Sequence, residues 1–196
     1  DEEIDLEMYP YKHIELSGKK IRNGQAIYTK FPIINSGSIE FPNTSNNAIF
    51  ADIVKGKDTI RVYNLHLESS RIDPNAEEFS KENSQNLFKR VSWTFKKQQS
   101  QAEQFLVHKN KCLYKTIISG DFNNTAYSYI YNEIKGDMED AFEHAGNGFG
   151  RTFDFKFFPV RIDIILVDDA FEINAFKTFD VKYSDHYPVM AKVKVK

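Results

Sequence analysis

Stretches rich in β-branched and aromatic residues alternate with polar, glycine-bearing stretches along most of the chain, the signature of short strands joined by loops. Seven stretches predict strands: 26–30, 48–54, 59–67, 115–119, 160–167, 171–179 and 187–195. Only Lys55-Gly56-Lys57-Asp58, a turn-forming tetrapeptide, separates the second from the third, so these two are expected to pair antiparallel as a hairpin. From Phe88 the period changes. Phe88, Val91, Phe95, Ala102 and Phe105 recur at intervals of three, four and seven, one face of a helix expected over about 82–108. A second, shorter helix is expected over about 126–134. No repeat, low-complexity tract or linker breaks the pattern, so one domain is expected over 1–196.

Composition narrows the function. With 196 residues, 41% of them hydrophobic, the chain can bury one sizeable core. Its 26 Lys and Arg against 28 Asp and Glu give a net charge of −2, so no global field draws it onto nucleic acid or an anionic membrane and any polyanion site must be local. Cys112, the single cysteine, excludes an intrachain disulfide and a CxxC zinc site. The longest apolar runs are far shorter than the roughly 18 residues of a spanning helix. The acidic opening at residues 1–7 has neither the basic nor the apolar part of a signal peptide, as expected of a processed or trimmed chain. Lys89-Arg90 and Lys96-Lys97 flank Trp93, which reads either as a basic-aromatic nucleic-acid patch or, more commonly, as the solvated side of an amphipathic helix.

Four motifs then place metal-binding or proton-moving groups at strand ends. In Val62 to Glu68, alternation puts Asn64, His66 and Glu68 on the face opposite Leu65 and Leu67. In Thr116 to Asn123, an apolar strand runs through Gly120 into Asp121 and Asn123; alone, this also reads as a capped turn before a helix. Asp163 is embedded in the almost wholly apolar run 160–167, where a carboxylate costs several kcal/mol unless it is paired. Ser184-Asp185-His186 supplies the partner: Asp163 is expected to fix the tautomer of His186 and favour its charged form, as suits a general base. That leaves Asp185 free to ligate a cation. Three carboxylates in one pocket would repel one another without such an ion. Oxygen donors without cysteine favour Mg²⁺ or Mn²⁺.

Taken in order, Asn23-Gly24-Gln25-Ala26-Ile27-Tyr28 with Lys30-Phe31-Pro32-Ile33, Asn64-Leu65-His66-Leu67, Gly120-Asp121-Phe122-Asn123, Arg161-Ile162-Asp163 and Ser184-Asp185-His186 resemble the endonuclease/exonuclease/phosphatase superfamily, the fold of deoxyribonuclease I, abasic-site endonucleases and neutral sphingomyelinases. Phe41 to Asn47 is similar to a stretch in small Bacteroides-group members. The resemblance implies an α/β four-layer sandwich of two mostly antiparallel sheets flanked by helices, with an active site at one rim. It implies phosphoester hydrolysis by direct water attack with Mg²⁺ or Mn²⁺. His186 backed by Asp163 would activate water or hold phosphate; Asp121 and Asn123 would orient nucleophile and phosphate; His66 would protonate the leaving oxygen; Asp185, with Asp121, would contact metal.

Relatives also carry an upstream glutamate that is the principal metal ligand. Glu2, Glu3, Glu7 and Glu15 follow no apolar strand of the right kind, so the resemblance implies a domain without its N-terminal strand-helix-strand portion. The expected function is a metal-dependent, endonuclease-like phosphodiesterase acting on DNA, RNA or phospholipid. The alternatives are a sphingomyelinase-like hydrolase, or an inactive fragment that serves as a binding module. Compartment (cytoplasmic, anchored or exported in a bacterium) and oligomeric state stay open.

Overall fold

The computed structural model describes residues 8–17, 23–72, 81–155 and 158–196. In chain order the elements are β1 (Tyr11–Ser17), β2 (Asn23–Thr29), β3 (Ile33–Glu40), β4 (Asn47–Lys55), β5 (Asp58–His66), α1 (Lys81–Lys109), β6 (Lys115–Asp121), α2 (Tyr129–Lys135), β7 (Glu139–Asp140), α3 (Ala141–Ala145), β8 (Asp163–Val167), β9 (Phe171–Thr178) and β10 (Val189–Val195). Among the described residues a six-stranded sheet runs β3-β4-β5-β6-β8-β7, and two hairpins, β1-β2 and β9-β10, stand beside it. Pairing is antiparallel throughout except between β5 and β6. The hairpin at Gly56-Lys57 forms as the sequence predicts, with Lys55 opposite Asp58.

Side-chain alternation buries both faces of the central sheet. Phe50, Tyr63, Leu65, Ile118, Ile164 and Leu166 pack under α1 and α2, around Phe105, Phe122 and Tyr131. On the opposite face Ile60, Val167, Phe171 and Ile173 join β9, β10 and α3, while Ile49, Ala51 and Ile53 meet Ile27 of β2. The layers are therefore helix, sheet and a second layer of strands, the mixed α/β sandwich that the sequence implies; here the second strand layer consists of two separate hairpins. No described helix is long and apolar enough to cross a membrane.

Three expectations need correcting. The predicted face of α1 is buried only in its C-terminal half: Ala102 and Phe105 point inward as expected, but Phe88 is 74% and Phe95 47% exposed, and Thr94, Gln98 and Gln101 are buried in their place. Apolar periodicity missed the rest because Gln98 and Gln101 find their hydrogen bonds in the loops after β5 and β6. The strand expected from Val160 begins at Asp163, since Val160 forms only an isolated bridge with Phe153. The second helix begins at Tyr129, after Ser128, whose hydroxyl accepts the Tyr131 N–H. β1, β3, β7 and α3 were not foreseen.

A parallel pair needs a crossover, and α1 provides it between β5 and β6. Gly120 lies opposite Leu65 in this pair, at φ +139°, and a Cβ there would sit 2.0 Å from the Leu65 carbonyl oxygen. Only glycine fits both the space and the backbone. Gly120→Ala is expected to cost roughly 3 kcal/mol or more, read as a lower urea midpoint at an unchanged slope; a midpoint within error of the parent would refute this close approach.

Candidate active site

The site follows from strand register. Parallel pairing sets His66, the last residue of β5, beside Asp121, the last of β6, and antiparallel pairing sets Asp121 beside Asp163, the first of β8. Three of the side chains expected at the site thus stand in a row across one end of the sheet. His186 comes from the other side of the chain, bridged to Phe153. Its Nδ1 lies 2.9 Å from Asp163 Oδ2. That contact was expected from the cost of burying Asp163 alone, and it raises the His186 pKa against the opposing effect of burial.

Asp121 is the centre of the cluster. Its Oδ2 lies 3.9 Å from His66 Nε2 and 4.0 Å from His186 Nε2. Its Oδ1 accepts the Asn123 N–H at 2.7 Å and its Oδ2 the Asn123 side-chain amide at 3.0 Å. Asn123 holds φ +47°, a left-handed conformation that asparagine tolerates better than most residues. Burial, and then the neighbouring Asp163, push the Asp121 carboxyl up to about 7. His66 is held below its ordinary value, by loss of water first and by His186 second.

Of the residues expected from sequence, His66, Asp121, Asn123, Asp163 and His186 come together. Asp185 is exposed and its carboxylate is outside the tight group, although its charge acts on both Asp121 and His186. Its carbonyl accepts the Asp154 N–H at 2.8 Å. Glu68 does not share an open face with His66: it is buried beyond the end of β5, with Oε2 3.6 Å from Lys97 Nζ. Glu15 is half-buried on β1, while Glu2, Glu3 and Glu7 lie outside the described residues.

Several supporting residues escaped the sequence reading. Thr152, wholly buried, accepts the N–H groups of Ile162 and Asp163 at 3.0 Å each, fixing the start of β8. The Phe153 ring centre lies 5.0 Å from that of His186. Gln98, also wholly buried, donates to the carbonyls of Glu68 at 2.7 Å and Asn123 at 3.2 Å, and accepts from the Asn124 side chain at 2.9 Å. One side chain of α1 therefore ties together the loops after β5 and β6. Asn46 and Asn123 both donate to the Leu67 carbonyl, at 2.8 and 2.9 Å. The available signal was Thr94 and Gln98 at i, i+4 on a helix, polar residues where an inward face needs partners.

Asp121, Asp163 and His186 each offer a ligand atom, all within 4.8 Å of one another. Because Asp163 and His186 already engage each other, Asp121 is the donor with most to gain from a cation. Mg²⁺ is commonly held by one or two carboxylates with water completing its shell, and this donor set fits such an ion.

The description Endonuclease/Exonuclease/phosphatase family belongs to a family model that matches residues 2–186. No curated protein matches the chain by sequence. Among solved structures, an endonuclease/exonuclease/phosphatase from Beutenbergia cavernae is 14% identical with a TM-score of 0.71, covering 96% of this chain and 54% of its own. A mannosyl-6-phosphatase from Bacteroides thetaiotaomicron is 19% identical (TM-score 0.61; 94% of this chain, 78% of its own). A 3′ phosphatase from Neisseria, bound to a product DNA hairpin, is 19% identical (TM-score 0.63; 93% of this chain, 79% of its own). The chain thus spans about half of the first of these proteins and under four fifths of the others, and the likeness at this identity is one of fold. The matched segment contains every strand end that brings Asp121, Asp163 and His186 together, and the chain belongs to the endonuclease/exonuclease/phosphatase family.

Proposed function

We propose that the chain carries the active site of a divalent-metal-dependent phosphodiesterase in which water attacks phosphorus directly. The observation that carries the reading is the Asp163–His186 pair, 2.9 Å apart, with the free imidazole edge turned toward Asp121. A carboxylate on Nδ1 leaves Nε2 as the nitrogen that exchanges a proton with substrate, and raises its basicity. In this reading His186 takes the proton of the attacking water. Asn123, fixed by Asp121 and the Leu67 carbonyl, keeps the adjoining loop in register with the phosphate. His66, on the other side of Asp121, faces the leaving oxygen.

Family members generally use divalent metals, and a Mg²⁺ or Mn²⁺ ion at Asp121, with Asp163 and Asp185 adding negative field, would supply positive charge to the phosphate oxygens as the transition state forms. Burial and the neighbouring Asp163 raise the Asp121 pKa against the lowering effect of His186, and a cation held at Asp121 would offset both.

Three outcomes are expected with bis(p-nitrophenyl) phosphate and a mixed DNA/RNA substrate. Chelation with EDTA abolishes hydrolysis and Mg²⁺ or Mn²⁺ restores it; activity that is indifferent to chelation would exclude the metal. His186→Ala and Asp163→Asn each lower kcat by about 10²- to 10⁴-fold with a melting temperature near the parent's, and parental rates in both would refute the dyad. Gln98→Leu leaves buried loop carbonyls unpaired at a cost of about 1–3 kcal/mol and lowers kcat/KM as the two loops loosen, whereas a variant with parental stability and activity would exclude the loop-tying role.

A further inference from the structure

Trp93 stands on the outer side of α1, 53% exposed. Residues three and four positions away are its neighbours on the helix surface, and all four are cations: Lys89, Arg90, Lys96 and Lys97. On the helix itself no acidic residue occurs from Ser84 to Ala102, and apart from Lys97, which pairs with Glu68, its cations add positive charge to a chain whose net charge is −2. Lys97 Nζ lies 4.3 Å from the indole centre and covers one ring face.

This patch is joined to the cleft. Lys97 Nζ also donates to the Asn43 carbonyl at 3.0 Å and lies 3.6 Å from Glu68 Oε2, in the loop that leaves His66. Gln98, the next residue, holds the Asn123 carbonyl. The loop containing Asn43 reaches the same Leu67 carbonyl through Asn46. From indole to Asp121 the path therefore runs through directly contacting side chains and loops.

We propose that Trp93, with Lys89, Arg90 and Lys96 around it and Lys97 seated on one face, is a platform that holds single-stranded nucleic acid beside the Asp121 site, with one base stacked on the other face of the indole. Cations that follow a phosphate backbone around an aromatic ring that takes any base are the elements of sequence-tolerant strand binding. The geometry favours a strand over a lipid surface. Phe88 and Phe95, the other exposed aromatics of this stretch, lie about 140° or more around the helix from Trp93, so the three rings present no common face for insertion. As a substrate platform this rests on the phosphodiesterase reading, but binding to it is measurable without turnover.

Trp93 is the sole tryptophan, so intrinsic fluorescence reports on it alone. In EDTA, titration with an oligothymidylate is expected to quench the emission, with an affinity that falls as salt rises. Lys89→Gln/Lys96→Gln should reduce the log–log salt slope by about 0.7 for each lysine. Anionic phosphatidylserine vesicles should leave the spectrum unchanged. With Mg²⁺, Trp93→Leu should raise KM for the oligonucleotide about tenfold and keep kcat for bis(p-nitrophenyl) phosphate at the parental value. Unchanged emission with oligothymidylate, a blue shift with vesicles alone, an unaltered salt slope, or equal loss on both substrates would overturn the platform. Quenching without hydrolysis of any phosphoester would refute the phosphodiesterase reading and leave the platform standing.

Discussion

The parallel pairing of β5 with β6 is the constraint on which the site depends. Antiparallel neighbours put their C-terminal ends at opposite edges of a sheet, so two residues that each close a strand could not then stand side by side. Here the 29-residue helix α1 carries the chain back across the sheet, so both strands finish at the same edge, with His66 beside Asp121. β8 starts at that edge and adds Asp163 by running the other way. The row is a consequence of topology, and the tight approach at Gly120 keeps its register.

The treatment of buried acids elsewhere shows that Asp121 is unusual. Asp52 receives a bidentate Arg61, with hydrogen bonds of 2.6 and 2.7 Å. Asp140 accepts from Arg161 at 2.7 Å, and its other oxygen caps the start of α3. Glu68 has Lys97 within 3.6 Å. Each of these carboxylates has a permanent cation, as the cost of desolvation requires. Asp121, its side chain 19% exposed, has in contrast two imidazoles near 4 Å and a second carboxylate on the next strand. Asparagine donors orient it without neutralising it. Among these acids Asp121 is the one whose neighbours of possible positive charge are imidazoles alone, which is why the proposed cation is assigned to it.

How much of this was legible in the sequence depended on whether the signal was local. The β4–β5 hairpin was readable because four turn residues separate two apolar runs, and the Asp163–His186 pair because a carboxylate in an apolar strand demands a partner. The inward face of α1 was legible only in its C-terminal half, at Ala102 and Phe105. The apolar residues Phe88 and Phe95 suggested one face, yet tertiary structure buries Gln98 and Gln101 and leaves both phenylalanines in water. A glutamine becomes a good interior residue only when loop carbonyls from elsewhere in the chain are waiting for it, and no local periodicity records that. Thr152 was hidden for the same reason: its two hydrogen bonds reach ten and eleven residues ahead, into the strand that it starts.

The buried amides of α1 also explain how events on its outer surface would reach the chemistry. Interdigitated side chains already resist a shift of the helix along its axis, and Gln98 adds directional ties: its amide is committed at one end to the Glu68 and Asn123 carbonyls and at the other to Asn124. Lys97 adds an outer tie to Asn43 and Glu68. Consecutive residues thus grip the same loops from inside and outside. A ligand that changed the position of Lys97 would strain a network whose members end at Asn123 and hence at Asp121. The helix that makes parallel pairing possible is in this way also the element that ties the outer surface to Asp121.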